Sequence, residues 1–137
     1  MSQDLKPQPA LQVDSAARAR FFHIYATPDG ETHLKVRKVR PGADMAPLVG
    51  LNAVAFAQSV APFHAVGKRQ FVLNLTGELD VELSDGTKQR IGPGDLVLLE
   101  DVGSKGHATT LLGPVTCIFL VVAENFDVER WAEPVGS

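Results

Sequence analysis

Short apolar or alternating runs, separated by turn residues, recur along most of the chain: "RFFHIYAT", "THLKVRKV", "GLNAVAFAQSV", "RQFVLNLT", "ELDVELS", "TKQRI", "DLVLLE", "HATTLL" and "VTCIFLVVAE". Runs this short, repeated at this spacing, indicate the strands of an all-β sandwich or barrel, and no stretch carries a sustained helical repeat. In "ELDVELSDGTKQRI" the residues Leu79, Val81 and Leu83 alternate with Glu78, Asp80 and Glu82 up to Asp85-Gly86. That period of two sends the apolar side chains to the core, and the Asp-Gly pair supplies the backbone freedom of a hairpin turn. The unbroken "LVLL" after Gly94-Asp95 predicts a strand buried on both faces.

A chain of 137 residues suits one domain. The reading divides it into an N-terminal arm (1–18), a β-barrel domain (19–128) and a C-terminal tail (129–137), with Phe126 and Trp131 expected to cover an open end of the barrel. The net charge is −3 with no block of like charges, which argues against nucleic-acid binding and favours a small-molecule partner. The basic cluster "KVRKVR" (35–40) reads as a solvated strand face. Cys117 stands in "VTCIFLVV" and reads as a packing thiol. No signal-like or membrane-spanning stretch is evident, so a cytoplasmic protein without a membrane partner is expected.

From Pro62 to His107 the chain resembles the cupin superfamily. The first cupin motif sets two nearby histidines ahead of a glutamate and a glycine. In "HAVGKRQFVLNLTG", His64 and Gly77 match it, Val66 takes the second histidine's place and Gln70 the glutamate's. The second motif opens on Gly-Asp, runs through a strand to a Pro-x-Gly turn and delivers another histidine. In "GDLVLLEDVGSKGH", Gly94 and Asp95 match, Glu100 stands where the proline is expected, Gly103 replaces the glycine with an offset, and His107 arrives late. The resemblance implies a cupin-type jelly-roll β-barrel, RmlC-like, that takes a small organic molecule into its interior and forms a homodimer. Cupins commonly hold a divalent metal through histidines and a carboxylate, while some members have lost it and only bind ligands.

Valine offers no donor atom and a glutamine oxygen is a neutral ligand, so the metal set here shrinks to His64, Gln70 and His107. Catalytic zinc takes three strong protein ligands, and two-histidine iron sites add a carboxylate. A divalent transition metal at these three residues, serving an oxygenase or lyase, is therefore the second reading, with His23 a further donor if its strand faces the same cavity. The leading reading is acid–base catalysis by an isomerase, cyclase or lyase, with His64 and His107 as proton-transfer groups. Gln70, Asn74 and Asp101 are its substrate-binding residues. Gln70, Val72, Asn74 and Thr76 share one strand face, and buried amides there need hydrogen-bond partners. Glu100 and Asp101 close their strand at the barrel mouth, where either orients His107 or lines the entrance. Arg69 should point away from Gln70 and reads as surface, and His33 reads as exposed. A noncatalytic ligand-binding module is the third reading. "GSKGH" lacks the spacing and following helix of a phosphate loop, and Ser104 has no nucleophile elbow around it.

Overall fold

The computed structural model describes residues 19–136; the proposed arm, 1–18, lies outside the described residues. Among the described residues, eleven strands form two sheets. In chain order they are β1 (Arg20–Ala26), β2 (Thr32–Val39), β3 (Leu48–Phe56), β4 (Val60–His64), β5 (Gln70–Thr76), β6 (Leu79–Leu83), β7 (Lys88–Ile91), β8 (Leu96–Glu100), β9 (His107–Leu111), β10 (Val115–Val122) and, after a short helix α1 (Val128–Trp131), β11 (Ala132–Pro134). One sheet has the order β11-β2-β1-β8-β5-β10-β3 and the other β4-β9-β6-β7. The result is the all-β, jelly-roll-like architecture that the sequence implies. The run read as one strand, "GLNAVAFAQSV", divides at residues 57–59, so that β3 edges the larger sheet and β4 edges the smaller one. Most of β3 is exposed, including Leu48, Val49 and Leu51.

Local chemistry explains the elements. In β6 the alternation predicted from sequence buries Val81 and Leu83, and the hairpin to β7 closes with Gly86 at φ +93°, a conformation that glycine adopts without strain. β8 lies between β1 and β5, and its apolar run serves two cores at once. Val97 and Leu99 pack with Ile24, Val66, Val81, Leu83 and Ile91 between the sheets. Leu98 points the other way and packs with Phe21, Phe71, Val122, Phe126, Val128 and Ala132 on the outer face. A strand with apolar covering on both sides has no solvent face to mark with polar residues, hence "LVLL".

The outer core revises the expectations for the C-terminal segment. Phe126 and Trp131 do not cover a barrel end. They join Phe21 and Phe71 in an aromatic cluster with ring centroids 5.5 to 5.8 Å apart, across the back of the larger sheet. Edge-on and tilted arrangements at these separations add to the burial of large rings. Residues read as a tail from 129 onward finish α1 and then pair along β2, with Ala132 fully buried. Asp127 caps α1 by accepting from the Glu129 amide at 3.0 Å, and the Trp131 indole donates to the Asp44 carbonyl at 2.8 Å.

Beside the aromatic cluster runs a buried polar chain. Arg37, 1% exposed, donates through Nε to His23 Nδ1 at 2.8 Å and through its terminal nitrogens to Ala132 O and Glu129. Because Nδ1 of His23 accepts, Nε2 carries the proton, and it donates to Glu100 Oε1 at 2.6 Å. Arg69 grips the other oxygen of Glu100, with Nε at 2.7 Å, and reaches the Phe126 carbonyl. Three readings change accordingly. "KVRKVR" is not wholly solvated, since Arg37 is an internal tie. Arg69 points away from Gln70 as expected and stays part-exposed, but it is also a clamp on Glu100. His23 lies on the far face of the sheet and cannot supply a cavity ligand. His33 is only half-buried, held between Thr27 and Asp85.

Burial pushes the Glu100 carboxyl up, but the hydrogen bonds and charges of His23 and Arg69 outweigh it and hold the group below its ordinary value of 4.5. A carboxyl lowered in the folded state adds stability that is present above the ordinary value and is lost as pH falls through the folded one. Urea unfolding should therefore show a clear deficit for Glu100→Gln near neutral pH, relative to the unsubstituted protein. That gap should close as pH drops below 4.5. A gap independent of pH would mean that Glu100 does not act as a paired carboxylate.

Candidate active site

β4 ends and β9 begins on the same rung of the smaller sheet, so His64 and His107 are cross-strand partners. Their ring centroids lie 4.7 Å apart at 51°. Two residues far apart in sequence thus stand side by side. Their settings differ: His107 is 5% exposed, while His64, on the edge strand, is open to solvent. Nδ1 of His64 lies 2.8 Å from the Pro62 carbonyl, and Nδ1 of His107 lies 2.6 Å from Asp101 Oδ2. Both partners are acceptors, so each Nδ1 donates and each neutral ring keeps its free lone pair on Nε2.

The loop between β8 and β9 produces this arrangement. Asp101 leaves β8 fully buried and reaches forward to His107. Ser104 ties the loop together by donating to Asp101 O at 2.6 Å while accepting from the Gly106 amide at 3.0 Å. The Lys105 amide donates to Gly30 O, Thr32 Oγ1 donates to Gly106 O, and Lys105 pairs with Glu31, so the β1–β2 turn anchors the loop. Gly106 has φ +78°, and a Cβ there would fall 2.1 Å from the His64 carbonyl oxygen. The glycine before His107 is thus required by a backbone contact with His64 itself. Of the roles expected for Asp101, the structure shows the orienting of His107: the carboxylate sits behind that ring and not on the cavity wall, so it does not line the site as a substrate-binding residue.

Between the sheets lies a cavity of about 500 Å³. His64, His107, Gln70 and Asn74 all line it, with Ile24, Val72, Val97 and Leu99 from the larger sheet and Val81, Ile91 and Leu111 from the smaller. The inward placing of Gln70, Val72 and Asn74 on β5 agrees with their shared period, and Phe71 faces the outer core. Asn74 donates through Nδ2 to Gly77 O at 2.8 Å, which fixes the amide's orientation, and its Oδ1 has no partner. Among the polar cavity residues that escaped the sequence reading are Ser59, Cys117 and Thr109. Ser59 lies in the break between β3 and β4, which the apolar run concealed. Cys117 stands opposite Asn74 across the β5–β10 ladder, so strand register could have found it. Burial pushes its thiol up, which keeps it protonated at neutral pH.

A cupin-type metal does not fit this donor set. Val66 lines the cavity without a donor atom, Asp101 is committed to His107, and Glu100 belongs to the opposite face. Among the described residues no three His, Cys, Asp or Glu side chains converge. Two imidazoles and the Gln70 amide fall short of the three strong ligands, or two histidines and a carboxylate, that such centres use.

Glycine substitutions separate the loop's two tight spots. Gly106→Ala should cost about 2 to 4 kcal/mol, because positive φ and a backbone clash coincide. It should also shift the imidazole NMR signals of both histidines. Gly103→Ala, with φ +71° but open space around it, should cost about 1 kcal/mol and leave those signals in place. Equal effects from the two substitutions would contradict the proposed contact.

No family model and no curated protein matches the chain. Among solved structures it is similar to a cupin superfamily protein from Desulfitobacterium hafniense DCB-2, at 14% identity over 89% of this chain and 94% of that one, with a TM-score of 0.45. KdgF from a Halomonas species is 23% identical over 72% of this chain and 85% of its own, with a TM-score of 0.39. The EutQ protein of Clostridium difficile is 9% identical, covering 89% and 83%, with a TM-score of 0.36.

Proposed function

We propose that the barrel binds a small organic molecule and catalyses proton transfer on it, as an isomerase, cyclase or lyase. The observation that carries this reading is the cross-strand pair of imidazoles, each with a free Nε2 lone pair, on the wall of an otherwise largely apolar cavity. His107 suits the role of base. Asp101 holds its Nδ1–H, which fixes the tautomer and provides a fixed negative partner for the imidazolium that forms when Nε2 takes a proton from substrate. His64 touches both the cavity and solvent, so it can return a proton to a second substrate atom or exchange it with water. Gln70, on the facing sheet, orients the substrate. Apolar walls exclude competing water and leave the reacting group few hydrogen-bond partners besides these. A ligand that binds tightly and is recovered unchanged would instead favour a noncatalytic binding module.

Proton abstraction can be followed without knowing the natural substrate. Tetralone, a neutral ketone with exchangeable C–H bonds beside the carbonyl, should lose those proton signals in deuterated water faster with the protein than without it. His107→Ala should reduce the catalysed rate by about a hundredfold or more, and Asp101→Asn should also reduce it strongly. His64→Ala should slow exchange while leaving the melting temperature nearly unchanged, because the ring is exposed. Exchange at the same rate in both histidine variants would sink the acid–base reading.

A further inference from the structure

We infer that the molecule taken by this cavity is electrically neutral and mostly apolar, and that it is held as a hydrogen-bond donor, through hydroxyl or N–H groups offered to the histidine wall. The inference rests on reading the barrel interior as the binding site and adds the class of ligand. Its first support is charge. Among the described residues no lysine, arginine, aspartate or glutamate lines the cavity, although the larger sheet carries His23, Arg37, Arg69 and Glu100 on its other face. A carboxylate or phosphate brought inside would lose its hydration without gaining a counter-charge, a cost that an apolar wall cannot offset.

The second support is the polarity of the hydrogen-bonding groups. On the smaller sheet the free nitrogens of His64 and His107 are acceptors when the rings are neutral, because each Nδ1–H is already used. Ser59 spends its proton on the Ala57 carbonyl and keeps only acceptor capacity. Across the hollow, the Asn74 amide donates to Gly77 O and its Oδ1 is closed off from the cavity, so this side chain serves the wall itself. The cavity groups whose protons are already committed, His64, His107 and Ser59, are thus acceptors, while Gln70 and Thr109 can adapt to either role and the Cys117 thiol is a weak donor. An acceptor left unpaired in an apolar cavity carries a penalty, so a ligand that brings a donor to the histidine wall gains more than an equally sized ligand that brings none. Such a donor beside a histidine base is also the proton that acid–base chemistry would move.

Three probes of one size and shape test this with the full chain by titration calorimetry at neutral pH: naphthalenediol, its dimethoxy ether and naphthoate. The diol should bind about tenfold or more tightly than the ether, and naphthoate should bind more weakly than the diol by at least as much. Added salt should leave the diol's affinity unchanged. His64→Phe keeps an exposed ring but removes an acceptor, and it should narrow the gap between diol and ether. Naphthoate binding as tightly as the diol, an ether as good as the diol, or no binding by any of the three would overturn the inference. Because turnover is not read, a failed deuterium-exchange experiment leaves this preference standing. A reversed preference, in turn, leaves the proton-transfer reading standing.

Discussion

A seven-stranded sheet that must be covered on both faces sets the terms for the rest of this molecule. One face receives the four-stranded sheet and encloses the hollow; the other receives α1 and the segment before it, with Trp131 and Phe126. Hydrophobic burial drives both coverings, but only the inner one leaves space. The division also sorts charge. His23, Arg37, Arg69 and Glu100 satisfy one another on the back face, while the cavity between the sheets keeps uncharged hydrogen-bonding groups. Because successive residues on a strand point to opposite faces, two neighbours can serve entirely different environments. Glu100 and Asp101 do so at the end of β8. The first completes the back-face chain and the second, turned by the loop, orients a cavity histidine.

That sorting explains which parts were legible in the sequence. Alternation and turn chemistry are local, so strands such as β6 and β8 could be read from a few residues each. The resemblance of two short motifs to the cupins located His64 and His107, and period two put Gln70 and Asn74 on one face. Arg37 and Arg69 were misread for a physical reason. A charged residue at an alternating position looks solvated until the element that covers it is known. Here that element comes from the C-terminal segment, with Glu129 separated from Arg37 by 92 residues. The same long-range covering turned the supposed tail into part of the sheet and its core. Asp101 was seen as a site residue, but its depth was not, since burial behind His107 depends on how the loop folds back toward β4.

The loop itself shows how a defined site can be built without a full set of metal ligands. Val66 offers no donor atom and Gln70 only a neutral amide, yet the features that bring His64 and His107 together do not depend on those positions. They depend on the β4–β9 rung, on the backbone approach that Gly106 permits, and on the hydrogen bonds of Ser104 and Thr32. The result is a pair of oriented imidazoles. One is screened from water and backed by a carboxylate, and the other reaches solvent. In the proposed function, that asymmetry divides the work of proton transfer between a fixed base and a group able to exchange with water.

Two buried side-chain oxygens, Asn74 Oδ1 and Asp101 Oδ1, lack a hydrogen-bond partner among the described residues. Each such atom costs about 1 to 3 kcal/mol relative to a satisfied one, a sizeable part of the stability of a small domain. Elsewhere buried polar groups are well matched: Arg37 reaches three partners and Thr32 is bonded through both its amide and its hydroxyl. The two exceptions lie close around the hollow, one in a wall residue and the other directly behind His107, and neither oxygen is open to it. Unsatisfied groups concentrated at one place in an otherwise satisfied fold mark where the chain departs from what stability alone would favour. The departure falls around the His64–His107 pair, in the support of His107 and in the strand that faces it.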